Sequence, residues 1–328
     1  MVEISLEAQG ARPNFRYDII QPLLQGRATI EGASLRPSGP NDLAGFFDNP
    51  KFKSGDFGLL DINMGDVVPA IDAGWDMSCL PVFIKRKPVY NYLWVRADRG
   101  INTPKDLEGK TVGTVGYSSS ISVYTRGFLQ QFSGVDLSKL RWLVNGPGPF
   151  AIHNPAIRID QAAGPPKSSA QRLLDGEIDA STGDITDLTV WRALESRSNV
   201  KHLFADYQAE NMKLLKQDGI YTPVHIIVIG GKLNRQQPQI ARQAFDAFER
   251  SRQIAYEDAQ SDATGYSLKT GMRELLRDEV AEFGEIYTHG LSNNAKVVDL
   301  FLDYCYDQGV TSRRLSREQV FAAGTLDT

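Results

Sequence analysis

The 328-residue sequence has few of the residues and segments that cross-link a protein or anchor it in a membrane. Its two cysteines, Cys79 and Cys305, are too few and too far apart in sequence to indicate a disulfide framework. No apolar run is long enough to span a bilayer, and the first residues lack the basic start and apolar core of a secretory signal. These absences predict a reduced, cytoplasmic protein, with a processed exported form left open as the alternative.

Charge and motif content exclude further classes of function. The net charge is −4, with 36 basic and 40 acidic residues interspersed and no basic tract, so neither nucleic acid nor an anionic membrane surface is an expected partner. Among the four histidines there is no His-x-His pair, no His-Glu-x-x-His motif and no Cys/His cluster, which argues against a metal site. The run GTVGYSSS lacks the lysine and the glycine spacing of nucleotide-binding loops, and no Gly-x-Ser-x-Gly motif appears.

Short apolar runs alternate with amphipathic stretches, which indicates an α/β protein with largely parallel sheets. The pattern predicts strands at 57–60, 80–84, 90–95, 110–115, 178–181 and 224–229. It predicts helices after residue 61, at 103–107, after residue 118, before Asp175, and at 236–257, 269–283 and 294–308. Residues 145–167 contain five prolines and are predicted to form a long irregular loop.

The stretch GTVGYSSSISVYTRGFLQ, residues 113–130, leaves an apolar run, turns at Gly116 and places Ser118, Ser119 and Ser120 before a helical pattern. Serine is a good helix cap, because its hydroxyl can accept a bond from a free N–H group of the first turn. A helix start is also a ready anion site. The sequence leaves both interpretations open at this point. Together with the later LLDGEIDA unit, this stretch predicts a two-lobed, hinge-bending fold with the ligand in the cleft.

Several longer runs resemble the 4,5-dihydroxyphthalate decarboxylase family, which has the periplasmic-binding-protein type II fold. The runs that carry the resemblance are YDIIQPLLQGRATIEG (17–32), PVFIKRKPVYNYLWVRADRGINTPKDLEGKTVG (81–113), YTRGFLQ (124–130), LLDGEIDA (173–180), LFADY (203–207), GIYTPVHIIVI (219–229) and YDQGVTSRRLSREQVFAAGTLD (306–327). Two regions depart from the family pattern: residues 286–290 replace a Pro-Trp-Pro-Tyr-Gly-like run, and the 145–167 loop has no familiar counterpart.

The resemblance implies two lobes, each a mixed, mostly parallel sheet flanked by helices, with a cleft between them. We expect residues 1–95 and 222–328 to form lobe 1 and residues 96–221 to form lobe 2. The implied activity is cofactor-independent decarboxylation of a hydroxylated aromatic carboxylic acid, such as conversion of 4,5-dihydroxyphthalate to protocatechuate. The alternative is a solute-binding protein that delivers a small carboxylate to a transporter, since the fold suits both. The oligomeric state stays open between a monomer and a homo-oligomer.

Such a reaction needs an anion site and a proton donor. Arg86 and the Ser118–Ser120 helix start are the candidates for holding a carboxylate, although Arg86 could instead be a solvated charge. His225 is the candidate proton donor, because imidazole titrates near neutrality and this residue begins the strongest predicted strand. The alternative for His225 is a hydrogen-bonded core histidine.

Other residues are candidates for contact with the aromatic ring and its hydroxyls. Asp61 could accept a hydroxyl proton and Asn63 could bind a hydroxyl, or both could simply cap the following helix. Tyr221 and Tyr17 could stack on the ring or pack in the core. His289 could contact the substrate or be exposed, and His153 stays open as another proton donor.

Overall fold

The computed structural model describes residues 2–8, 17–37, 45–114, 116–146, 148–183, 188–261 and 271–328. Its strands are β1 (Val2–Ala8), β2 (Ala33–Pro37), β3 (Leu59–Asn63), β4 (Met77–Arg86), β5 (Leu93–Arg96), β6 (Thr111–Thr114), β7 (Arg141–Val144), β8 (Arg158–Gln161), β9 (Ala180–Thr182), β10 (Val200–His202) and β11 (Pro223–Gly230). Its α-helices are α1 (Gln21–Leu24), α2 (Pro50–Lys53), α3 (Met64–Asp72), α4 (Ser120–Ser133), α5 (Ser169–Leu174), α6 (Leu188–Ser196), α7 (Tyr207–Asp218), α8 (Gly231–Gln236), α9 (Ile240–Gln260), α10 (Met272–Phe283), α11 (Leu291–Asp307) and α12 (Arg317–Val320).

The strands form two sheets. The first has the order β2-β1-β3-β11-β4, and the second has the order β10-β5-β9-β6-β7-β8. Strands β1, β2 and β3 run parallel, whereas β11 is antiparallel to both of its neighbours. In the second sheet, the neighbouring strands β9, β6, β7 and β8 pair in parallel. Strand β5 pairs antiparallel with both of its neighbours, β9 and β10. The predicted α/β fold with two mixed sheets is therefore confirmed.

The chain passes from the first sheet to the second between β4 and β5 and returns between β10 and β11. Strand β5 starts at Leu93, so the first passage lies a few residues before the predicted lobe boundary at 95. The exact division into lobes stays a prediction. We use lobe 1 and lobe 2 below for the parts built on the first and second sheet.

One apolar cluster fills the space between the first sheet and the long helix α9, and another joins both sheets through α3, α4 and α11. The buried run Leu59–Ile62 explains why β3 is a central strand, since its side chains are covered on both faces. Asn63 then ends the strand and caps α3, so strand and helix meet at one residue.

The structure differs from the sequence prediction in the 145–167 region. Residues 158–161 form β8, which pairs in parallel with β7 at the edge of the second sheet. Because this edge strand is only partly covered, its sequence Arg-Ile-Asp-Gln has no continuous apolar run that could have indicated a strand. Residues 90–92, predicted as strand, belong instead to a 3₁₀ turn at 89–92 before β5.

Among the described helices, none combines the length and apolar character needed to cross a bilayer.

Candidate functional site

Asp61 and His225 form a buried pair on neighbouring central strands of lobe 1. Nδ1 of His225 lies 2.8 Å from Oδ1 of Asp61. The Asp61 side chain is fully buried, while the His225 side chain keeps 11% of its surface exposed. Asp61 is close to the end of β3, beside the last residue of the parallel strand β1. The pair therefore lies at the edge of the sheet where parallel strands end, which is where α/β folds place their ligands.

The geometry of this pair fixes the tautomer of the imidazole. A carboxylate accepts hydrogen bonds, so the bond to Asp61 places a proton on Nδ1 of His225 and leaves Nε2 to exchange a proton with a ligand. The second carboxylate oxygen, Oδ2 of Asp61, is buried without a partner among the described residues. Asp61 is thus placed to orient His225, and its burial argues against the predicted direct contact with a ring hydroxyl.

The starts of α3 and α4, from different lobes, meet beside His225. Asn63 pairs with His225 in the β3–β11 ladder, and its Oδ1 accepts bonds from the backbone N–H and hydroxyl of Ser120 at 3.0 and 2.7 Å. The Ser120 hydroxyl also lies 3.1 Å from the carbonyl oxygen of Val224 on β11. Asn63 accepts from the N–H of Gly65 as well, so one amide oxygen caps both helices. The prediction that Asn63 caps α3 is consistent with this geometry; its role in ligand binding stays a prediction.

Ser119 is the N-cap residue of α4, yet its hydroxyl contacts the Ser122 hydroxyl at 2.8 Å rather than the helix backbone. The capping oxygen for α4 comes from Asn63 of the other lobe. Ser118 and Ser119 are half-buried and line a cavity, whereas Ser120 is buried in the contact between the helices. The serine run therefore divides into two residues that face a cavity and one that joins the lobes.

Gly65 permits this close approach. A Cβ atom at Gly65 would lie 1.8 Å from the Ser118 carbonyl oxygen and 2.8 Å from the Ser120 nitrogen. We expect Gly65→Ala to force the helix starts apart and to lower the free energy of unfolding by about 1–3 kcal/mol, as overpacking does. Thermal unfolding checks this, with Gly116→Ala as the control because its Cβ would have no neighbour within 4 Å. Equal melting temperatures for the two variants would contradict the close contact.

A cavity of about 900 Å³ lies between the two lobes. Its polar wall carries Asn63, Asp66, Ser118 and Ser119. The 145–167 region supplies much of the remaining lining, which is apolar at Pro149, Phe150, Ile152, Pro155, Ile157 and Ile159 and polar at Asn145, Asn154 and Gln161. A cavity with much apolar lining and a few polar groups suits an aromatic ligand with polar substituents.

Two residues of this site were not singled out from the sequence. Asp66, in the first turn of α3, is the one charged residue among the described residues that line the cavity. The sequence could have indicated Asp66, because it stands three residues after the predicted cap residue Asn63 and therefore in the first turn of the helix. Phe150 contacts the rings of Phe47 and Trp75 from lobe 1, with centroids 5.9 and 5.8 Å away. The contact partners of Phe150 are distant in sequence, so no local pattern indicates them.

Arg86 lies apart from the serines. Its guanidinium donates to the carbonyl oxygens of Tyr221 and Thr288 at 2.6 and 2.8 Å and to Oδ1 of Asn294 at 2.5 Å. Burial lowers the pKa of Arg86 to about 10. Arg86 and Tyr221 line a second cavity of about 510 Å³ at the side of β4. The structure therefore does not bring Arg86 and the Ser118–Ser120 helix start around one carboxylate, because Arg86 ends an edge strand and lines a different cavity. Its two Nη atoms already have acceptors, whereas its Nε is buried without a partner among the described residues.

The remaining aromatic and histidine candidates have structural contacts. The rings of Tyr221 and Tyr287 lie 5.8 Å apart, and the partly buried Tyr17 packs against the core of lobe 1. His289 is 2% exposed and its Nδ1 accepts a bond from the Phe83 N–H at 3.2 Å. Burial lowers the pKa of His289 to about 3. The expectation that His289 is exposed or contacts substrate does not fit this position, because its ring is enclosed beside β4.

His153 is exposed, and its backbone N–H binds the carbonyl of Gly309. Within the described ranges, no group of three or more His, Cys, Asp or Glu residues could hold a metal ion.

Comparisons with known proteins agree with this architecture. The chain is 28% identical over 323 residues to 4,5-dihydroxyphthalate decarboxylase of Comamonas testosteroni, covering 95% of this chain and 96% of that protein. It is 27% identical over 176 residues to the Pseudomonas putida protein of the same name, covering 51% of this chain and 67% of that one. The profile of a family described as NMT1/THI5 like matches residues 54–157.

Two solved structures with the same fold are named as sulfonate-binding proteins. The putative periplasmic sulfonate-binding protein of Methylobacillus flagellatus KT superposes with a TM-score of 0.56 at 12% identity, covering 98% of this chain and 91% of that one. The alkanesulfonate-binding protein of Xanthomonas axonopodis pv. citri, solved bound to MOPS, gives 0.53 at 13% identity, with coverage of 99% and 98%. At this identity the likeness shows the fold alone. The resemblance seen in the sequence is thus confirmed: the chain is a relative of the 4,5-dihydroxyphthalate decarboxylases and has the periplasmic-binding-protein type II fold.

Proposed function

We propose that this protein decarboxylates a hydroxylated aromatic carboxylic acid, 4,5-dihydroxyphthalate or a close relative, without a cofactor. The observation that carries the proposal is the Asp61–His225 pair, at a ligand-binding edge of the sheet, in a chain similar over 95% of its length to a decarboxylase of that name. We also propose that the protein is cytoplasmic, and that lobe 1 consists of residues 1–95 and 222–328 and lobe 2 of residues 96–221.

The reaction replaces a carboxylate by a proton at one ring carbon. A hydroxyl para to the departing carboxylate passes its proton to the Asp66 carboxylate and pushes electron density toward that carbon, and it takes the proton back after CO₂ has left. Nε2–H of the imidazolium form of His225 delivers a proton to the carbon, the C–C bond breaks, and CO₂ departs as the ring regains its aromaticity. Asp61 orients the imidazole and stabilises its protonated form through the 2.8 Å bond.

Substrate binding uses the polar wall of the inter-lobe cavity. A substrate carboxylate binds at the start of α4, where Ser118 and Ser119 are half-buried and the helix dipole favours an anion. Asp66 and Asn63 are placed on the opposite lobe to bind ring hydroxyls. His225 does not line this cavity, and the Asn63–Ser120 contact stands between them. The ring therefore reaches His225 only when the two helix starts separate, as in hinge-bending proteins.

The direct test is to incubate the purified protein and a chelator with 4,5-dihydroxyphthalate. We expect the ultraviolet spectrum to change to that of protocatechuate and one CO₂ to be released per substrate consumed. Conversion that stops in the chelator and returns with added metal would contradict the cofactor-independent mechanism. No conversion of this or related dihydroxylated acids would contradict the proposed reaction.

The second candidate is a solute-binding protein for a small carboxylate, favoured by the fold shared with sulfonate-binding proteins. The same preparation distinguishes the two candidates. A rise in melting temperature with the acid, without any release of CO₂, would support the binding protein, because a ligand stabilises the state to which it binds.

A further inference from the structure

Arg126 is a buried cation that the proposed reaction does not use. It lies in the second turn of α4 and has no exposed surface. Its Nε donates to Oε1 of Gln308 at 2.6 Å, and its Nη2 donates to the carbonyl oxygen of Tyr117 at 2.5 Å. Nη1 has no hydrogen-bond partner among the described residues. Both acceptors are neutral, so nothing described in contact with Arg126 balances its charge.

The guanidinium lies directly behind the wall of the inter-lobe cavity. Its central carbon is 3.8 Å from the centroid of the Tyr117 ring and 5.3 Å from that of Trp142. Tyr117 also lines the cavity and immediately precedes Ser118 and Ser119, which line it too. Arg126 can therefore act on the cavity in two ways. Its bond to the Tyr117 carbonyl holds the turn that carries Ser118 and Ser119, and its positive charge is separated from the cavity by the Tyr117 side chain alone, so its field reaches a ligand there.

Asp66 and Arg126 differ in how strongly water screens their charges. Asp66 is half-buried on the cavity wall, so solvent reduces its field. Arg126 has no contact with solvent, and a charge in such a place is screened much less. A buried cation without a carboxylate is costly to the fold, and an anion in the adjacent cavity would offset part of that cost.

We infer that Arg126 is a positioning residue that makes the inter-lobe cavity selective for anions, so that its ligand is an aromatic carboxylate and not the neutral phenol or amide of the same shape. The inference rests on the proposed function only for the place where the substrate binds. It does not require that the bound acid be decarboxylated.

The test neutralises the charge without removing Arg126. Gln308→Glu has the shape of the native residue and places a carboxylate where Oε1 already accepts from Arg126. The probes are protocatechuate and its neutral isostere 3,4-dihydroxybenzamide, with affinities measured by calorimetry. We expect the variant to bind protocatechuate about tenfold more weakly and the amide as tightly as before, since loss of a nearby charge acts on the charged ligand alone. The control is Gln130→Glu, because Gln130 is exposed on α4, the helix that carries Arg126. This variant has the same change in net charge and should leave the affinities for acid and amide unchanged.

Each outcome decides between a charge effect and a packing effect. An equal loss of affinity for acid and amide in Gln308→Glu would mean that Arg126 only supports the fold, and the inference would be wrong. Gln308→Glu also loses the hydrogen bond that Nε2 of Gln308 donates to the Val123 carbonyl oxygen, which can destabilise the fold. The melting temperature of the variant is therefore measured first. If it does not fold, the wild-type protein decides: equal binding of acid and amide, or binding of neither, overturns the inference. Selective binding of the acid without turnover would retain the inference and reject the proposed reaction.

Discussion

His225→Ala is expected to reduce the rate of CO₂ release from 4,5-dihydroxyphthalate by about 10²–10⁴-fold, the range that a positioned acid or base contributes. Nε2 of His225 is the group left to exchange a proton when Nδ1 binds Asp61. Because the side chain does not line the inter-lobe cavity, which we propose as the substrate site, the rise in melting temperature with protocatechuate should persist. The measurement is therefore a pair: the initial rate of CO₂ release, and the ligand-induced shift in melting temperature.

His153→Ala is the matched control for this variant. His153 is exposed on the 145–167 region and is the remaining candidate donor that sequence alone left open. We expect its loss to leave the rate unchanged. Unchanged turnover in His225→Ala would end the assignment of the proton donor, and loss of turnover only in His153→Ala would transfer that role to the loop.

Asp61→Asn is expected to have the second large effect, a loss of turnover of about 10²–10⁴-fold with substrate binding retained. The amide keeps the shape of the carboxylate but removes the charge that stabilises a protonated imidazole. Its NH₂ group can also donate to Nδ1, so the side chain no longer fixes the tautomer of His225. The measurements are the initial rate of CO₂ release and the shift in melting temperature with protocatechuate. A slower reaction with ligand binding retained distinguishes a residue that orients His225 from one that merely packs beneath it.

Asp72→Asn provides the control for a buried carboxylate. Asp72 ends α3, its side chain is 7% exposed, and it pairs with Arg313 at 3.2 Å. Its loss should lower the melting temperature without changing the rate of CO₂ release measured below the unfolding transition. If Asp61→Asn behaves like Asp72→Asn, with lower stability and an unchanged rate, the pair has no catalytic role.

Much of the fold could be predicted because its signals are local. The run before Asn63, the capping residues and the helical periodicity of α9 and α11 each lie within one segment, and the structure has the strand or helix there with small shifts at its ends. Strand β8 was missed for the opposite reason. Its stability depends on pairing with β7, and neither strand's own sequence contains that information.

The candidate site divides in the same way. From their residue types, His225 and Asp61 were each predicted as catalytic candidates, but not as a pair. Their hydrogen bond joins positions 164 residues apart, and the β3–β11 pairing brings them together. The serine run suggested a helix cap, yet the capping oxygen belongs to Asn63 of the other lobe. Arg86 looked equally suited to bind an anion, and its position at the end of the edge strand directs it to a different cavity.

The sequence by itself determined the class of fold, the similarity to the decarboxylases and the list of candidate side chains, because these follow from periodicity, matching runs of residues and residue type along the chain. The tertiary structure alone decided which groups act together. It made Asp61 a partner of His225, turned Asn63 and Ser120 into the contact between lobes, and buried Arg126 behind the cavity wall. The physical reason is that hydrogen bonds and charge effects depend on distances of a few ångströms, which are set by strand pairing and packing between residues far apart in the chain.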